Sequence, residues 1–179
     1  ARAESSSEKI YAVERLDLNV LALEVVQDLF PRALVKHIDF GLEAAEEALI
    51  IDGNPVLLRE LVKNLVDNAI KYTPVGGQVT VRTLGTEFAI LEVEDSGIGI
   101  PEGDREMVFE RFYRVLGSGE DGSGLGLPIV QEIAELHRAR VTLNPNPAGQ
   151  GTLAQAVFPR SLQPRTGEGE TLDDVTPSE

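Results

Sequence analysis

Apolar residues recur at helical spacing along "NPVLLRELVKNLVDNAIKY", residues 54–72. Leu58, Leu61, Val62, Leu65, Val66 and Ala69 share one side of a 3.6-residue repeat and mark a core-facing helix. Asn54 suits the N-cap and Pro55 the first helical position, while Pro74, Gly76 and Gly77 in "TPVGGQ" end the element. A second helical pattern, "VLALEVVQDLFPRALVKH", starts after Asp17 or Asn19. Pro31 is expected to break or kink it. Alternation with period two in "VTVRTL" and "EFAILEVED" predicts two strands joined by a short turn at Gly85. "HIDFGL" and "ALIID" predict two more short strands around an acidic turn. "PIVQEIAELH" reads as a helix behind a glycine-rich loop, and "RVTLN" with "TLAQAVF" as a closing hairpin.

Residues 1–16 are polar and read as a linker or as the frayed end of a helix. From Arg160 the chain is acidic without apolar period and reads as a disordered tail. One domain, 17–159, remains between them. Its mixture of helices and mostly antiparallel strands predicts an α+β fold: a two-layer α/β sandwich whose mixed sheet is covered by helices on one face.

Composition narrows the function. Sixteen Lys and Arg against thirty Asp and Glu give the 179 residues a net charge of −14. Such a surface repels phosphate backbones, so nucleic acid is not an expected partner. Without cysteine, disulfides and thiolate metal sites are excluded. No apolar run reaches the length of a membrane span, and "ARAESSSEKI" does not read as a signal peptide.

Chemistry concentrates in three places. On the 54–72 helix, Glu60, Asn64, Asn68 and Lys71 are spaced 4, 4 and 3 and share one stripe beside the apolar face. Interior asparagines are unfavourable by propensity. Glu60 and Lys71 alone read as a solvated face, whereas the asparagines bordering the core favour a ligand-facing role. Amide oxygens suit Mg²⁺ when substrate phosphates and water complete its shell. Asp95 closes a strand before "SGIG". It reads equally as a turn residue capping its own loop and as a carboxylate accepting from a buried amino group, with Gly97 and Gly99 admitting a flat ligand. "GSGLGL", residues 122–127, precedes a helix, where freed N–H groups and the helix's positive end favour an anion. Neither His37 nor His137 stands in a catalytic setting; both read as structural, His137 at a helix end where the dipole favours a cation.

The order of these segments resembles the C-terminal ATP-binding domain of bacterial sensor histidine kinases, in the superfamily of gyrase, Hsp90 and MutL ATPases. "RELVKNLVDNAIKYTP" looks like the N box, "VEDSGIGIP" the G1 box, "FERFYR" the F box and "DGSGLGLPIV" the G2 box. The short Gly- and Ser-rich segment after the F box is similar to the QseC- or TctE-like class. The resemblance, over residues 17–159, implies the Bergerat-type ATP-binding fold and ATP with Mg²⁺ as ligands. Asn68 and Asn64 would hold Mg²⁺, Lys71 would neutralise phosphate, and Tyr72 would lie along the nucleotide. Asp95 would accept from the adenine amino group above Gly97 and Gly99, with Thr152 of "GQGT" adding a hydrogen bond. Gly122, Gly124, Leu125 and Gly126 would form the lid hinge and cradle phosphates, and Arg111 or Arg114 would reach the γ-phosphate or the partner domain. "FERFYR" would form a helix before the lid, with Phe109 filling core and the role of Phe112 open.

The implied activity is phosphorylation of a histidine in a separate dimerisation domain, for transfer to a response regulator. The parent would be a membrane-anchored homodimer of the bacterial inner membrane, with this part cytoplasmic. Glu60 is the candidate base. In hydrolytic relatives a water-activating Glu lies four residues before the metal Asn, where this chain has Asn64, an amide that cannot deprotonate water. The alternatives are an anti-sigma-type serine kinase and a free-standing ATPase. Neither "KHIDFG" nor "LHRARV" fits a phosphoacceptor motif, so the acceptor hairpin is expected elsewhere, with residues 1–16 as its stub. Many relatives carry two glycines where this chain has Arg138 and Ala139, which implies a stiffer turn.

Overall fold

The computed structural model describes residues 12–110 and 126–162. Its elements run β1 (Glu14–Asp17), α1 (Leu18–Val35), β2 (Asp39–Glu43), β3 (Ile50–Gly53), α2 (Pro55–Tyr72), β4 (Gln78–Gly85), β5 (Phe88–Asp95), α3 (Gly126–Leu136), β6 (Arg140–Pro145) and β7 (Thr152–Pro159). Five strands form one sheet in the order β2-β4-β5-β7-β6, parallel only between β2 and β4. Alternation sorts its faces. Val79, Val81, Ala89, Leu91, Val93, Ala154, Ala156 and Phe158 are buried in one core with α1, α2 and α3. The intervening Arg82, Glu92, Glu94 and Gln155 point to the open face. Arg82 is ion-paired there with Glu43 and Glu94.

Local chemistry sets the helix ends. Asp17 Oδ1 accepts from Asn19 N at 2.9 Å, capping α1, and from Leu49 N at 3.1 Å, pinning the acidic turn. Asn54 Oδ1 accepts from Val56 N and Leu57 N, and Pro55 occupies the first turn of α2. At the other end, Lys36 Nζ donates to the Ile70 and Lys71 carbonyls. Helices α1 and α3 end alike: Ile38 N donates to Ala33 O around left-handed His37 (φ 49°), and Ala139 N to Ala134 O around left-handed Arg138 (φ 55°). This Schellman geometry normally falls to glycine.

Three expectations are corrected. Helix α1 passes through Pro31 for one more turn. A proline removes a single backbone bond, to the carbonyl four residues earlier, and that last turn is secured by buried Ala33 and the Lys36 cap. Residues 14–16, read as linker or helix end, instead form β1, antiparallel to β3. The two short strands expected around the acidic turn are present as β2 and β3, in separate sheets, because β3 pairs with β1 and β2 with β4. Arg160 and Ser161, assigned to the tail, are tied down: Ser161 N donates to Ile50 O at 2.8 Å and Arg160 pairs with Glu47. Two 3₁₀ turns, Glu102–Asp104 and Met107–Phe109, follow the loop after β5, and half-buried Phe109 packs on the core; most of the helix expected over 109–114 lies outside the described residues. Arg111 and Phe112 lie outside the described residues.

Candidate nucleotide site

Asp95 ends β5 and is 8% exposed. Its Oδ1 accepts from Gly97 N at 2.9 Å and Thr152 N at 3.1 Å. Oδ2 takes no hydrogen bond from the described residues. Burial raises its pKa above the ordinary carboxylate value, against the lowering effect of those two N–H donors; nearby Glu94 adds to the rise. Around it the backbone closes tightly. A Cβ on Gly97 would fall 2.6 Å from the Tyr72 carbonyl oxygen, and one on Gly151 would fall 1.9 Å from the Asp95 carbonyl oxygen. Gly99 (φ 75°) lies against Gly151. Ile98 N donates to Tyr72 O at 3.4 Å, so the loop after β5 is laced to the end of α2.

A second cluster lies farther back on α2. Asn64 Nδ2 donates to Glu60 Oε1 at 3.3 Å. The Asn64 and Asn68 Oδ1 atoms converge on Gly126, 3.4 and 3.8 Å from the position its Cβ would take. Two amide oxygens thus meet at the first residue of α3. Lys71 Nζ sits 5.9 Å from the centre of the Tyr72 ring.

The structure therefore sorts the expected site residues into two groups on one helix. Tyr72, Asp95, Gly97, Gly99 and Thr152 come together at the end of α2. Glu60, Asn64, Asn68 and Gly126 come together in its middle, about 12 Å from Tyr72 for Asn64 at 1.5 Å per residue. Arg114, Gly122, Gly124 and Leu125 lie outside the described residues. Among the described residues no cluster of three His or acidic side chains could hold a metal. The amide oxygens of Asn64 and Asn68 are hard donors that fit Mg²⁺ only if substrate oxygens share it. A cavity of about 520 Å³ lies elsewhere, lined by Val13, Leu57, Leu136 and His137 among others, and contains none of these residues.

His137 belongs to that far end. Its Nε2 accepts from Asn54 N at 3.0 Å while Nδ1 donates to Ile133 O at 2.7 Å, so it joins α3 to the start of α2 as the Nδ1–H tautomer. Two site residues escaped the sequence reading. Gly151 was visible in "GQGT", but its contact with Asp95 spans 56 positions. Asn146, in "NPNPAG", has no signal in the sequence beyond that of a residue type common in turns; its Nδ2 donates to Asp95 O at 2.8 Å.

Residues 53–162 match the family described as "Histidine kinase-, DNA gyrase B-, and HSP90-like ATPase". The chain belongs to this family, and its relatives within it are sensor histidine kinases. It is 39% identical over 149 residues to the sensor protein kinase PmrB of Pseudomonas aeruginosa, covering 82% of this chain and 31% of that protein. It is also 39% identical over 136 residues to the sensor protein QseC of Escherichia coli K12, covering 76% and 30%. The solved mycobacterial sensor histidine kinase MprB superposes with a TM-score of 0.75 at 31% identity, covering 83% of this chain and 98% of that one. The α+β architecture is that of a histidine kinase ATP-binding domain. The chain spans about a third of the length of the curated relatives it matches. Among the described residues no helix is long and apolar enough to cross a membrane.

Proposed function

We propose that this chain binds ATP with Mg²⁺ and presents the γ-phosphoryl group to a histidine on a separate helical dimerisation domain. The observation that carries this reading is Asp95: buried, with Oδ1 accepting from two backbone N–H groups and Oδ2 taking no hydrogen bond from the described residues. An exocyclic amine such as that of adenine fits this acceptor, and Gly97 and Gly99 let the backbone around it close against Tyr72 and Gly151.

With the base held at Asp95, the phosphates would extend along α2 toward Asn68, Asn64 and Lys71. Asn64 and Asn68 would hold Mg²⁺, which when bound would neutralise phosphate charge. The start of α3 at Gly126 brings a helix N-terminus to the same place. In transfer, a neutral imidazole nitrogen forms a bond to the γ-phosphorus as the bond to the bridging β–γ oxygen breaks. ADP leaves with that electron pair, and the imidazole proton passes to solvent or to a carboxylate, for which Glu60 is the candidate. Positioning and charge neutralisation carry most of such a reaction. Asn64, hydrogen-bonded to Glu60, cannot deprotonate water, which favours transfer to a partner over hydrolysis. The partners are then a dimerisation domain bearing the acceptor histidine and a response regulator, and the parent protein is a membrane-anchored homodimer with this part in the bacterial cytoplasm.

The test is calorimetric titration with Mg·ATP, followed by addition of a separately made helical hairpin carrying the acceptor histidine. Binding without turnover, then phosphate on that histidine, is the expected result. Rapid hydrolysis by the chain alone, with no transfer, overturns the proposal in favour of a free-standing ATPase.

A further inference from the structure

We infer that Asn146, in the β6–β7 turn, is a positioning residue that sets base specificity by clamping Asp95; this rests on the reading of Asp95 as the acceptor for an exocyclic amine. The turn grips Asp95 twice. Asn146 Nδ2 donates to the Asp95 carbonyl at 2.8 Å, and Thr152 N donates to its Oδ1 at 3.1 Å. The turn is itself closed by Asn146: its Oδ1 accepts from Ala148 N at 2.8 Å, its N donates to Gly151 O at 3.1 Å, and its O accepts from Gly149 N at 3.2 Å.

The geometry explains why a side chain is needed here. The β5–β7 ladder ends at the Glu94–Leu153 pair, so Asp95 lies one residue beyond the strand partner that would hold it. Its carbonyl is covered instead by Gly151 Cα and met by the Asn146 amide, which is 9% exposed. With backbone oxygen and Oδ1 both held, the carboxylate is fixed in orientation, and Oδ2 is the acceptor that would meet the amine. Loss of the Asn146 donor leaves the Asp95 carbonyl unpaired and lets the turn before Thr152 move away from it, so that Thr152 N no longer fixes Oδ1 and the carboxylate is held by Gly97 N alone. A base offering an amine then loses its preference over one offering a carbonyl.

The test compares binding of ATP with inosine triphosphate, which presents an oxygen where adenine presents the amine. Wild type should prefer ATP by about tenfold to a hundredfold, the range of a hydrogen bond to a charged acceptor. Asn146→Asp keeps the volume and the acceptor for Ala148 but removes the donor; it should cut the ratio at least fivefold, by weakening ATP more than inosine triphosphate. Asn146→Ala should do the same and serves if the aspartate variant does not fold. A lower melting temperature with the ratio unchanged would make Asn146 a fold residue and overturn the inference. A wild type that does not discriminate would overturn the reading of Asp95 first, and this inference with it.

Discussion

The floor around Asp95 and the helix edge around Asn64 are both polar, yet they are held in opposite ways. At the floor, backbone is packed closely: Gly97 against the Tyr72 carbonyl and Gly151 against the Asp95 carbonyl, with Asn146 bonded to the backbone oxygen of Asp95 and Thr152 N to its Oδ1. At the edge, side chains stand half-buried with little to hold them. Among the described residues Asn64 bonds only Glu60 and the Asn68 amide has no hydrogen bond. The difference follows from what each would bind. A flat neutral base is recognised by directional, short-range contacts, which need a preformed frame. A hydrated, multiply charged phosphate with Mg²⁺ supplies its own strong field and keeps several waters, so adjustable donors suffice.

The largest expected effect breaks the frame. Gly151→Ala puts a methyl 1.9 Å from the Asp95 carbonyl at φ 122° and should destabilise the domain by about 2–4 kcal/mol, read as a lower urea midpoint at unchanged slope. A wild-type midpoint would show that the floor is loose.

Asp95→Asn should weaken Mg·ATP by roughly tenfold to a hundredfold, because its Oδ1 can still serve Gly97 and Thr152 while its amide then faces the adenine amine donor to donor. Stability should move the other way. A carboxyl whose folded pKa is raised binds more protons folded than unfolded, so its contribution is full below about 3.8 and is lost as pH rises through the higher folded value. Melting curves of the free protein should therefore show wild type losing ground to Asp95→Asn from pH 3.8 upward; parallel curves would mean that burial does not perturb this group.

At the edge, Asn68→Ala should leave stability within about 0.5 kcal/mol while reducing Mg·ATP affinity roughly tenfold. A large loss of stability there would erase the contrast between the two regions. The smallest effect is a control remote from both. Arg138→Gly relieves a left-handed residue at the end of α3 and should stabilise by about 0.5–1 kcal/mol, seen as a higher melting temperature with nucleotide affinity unchanged.

Much of this was legible because its causes are local. Asn54-Pro55 starts α2 by capping chemistry, period-two alternation marks β4 and β5, and the spacing of Glu60, Asn64 and Asn68 places them on one stripe of any helix they form. Pro31, expected to break or kink α1, does not break it, because tertiary burial of Ala33 outweighs one lost backbone bond. β1 was missed because four half-polar residues carry no period, and only β3 gives them a partner.

The chain's own order of residues was enough to determine the helices, the strand faces and the four boxes of the family, since each depends on neighbours a few positions apart. Only the tertiary structure decided what holds Asp95. Gly151 and Asn146 lie more than fifty residues away and meet it because β7 pairs with β5 and the β6–β7 turn folds back over the end of that strand. Nothing in the residues of that turn names the strand it will close on; that follows from pairing across the sheet, a property of the whole core and not of any segment.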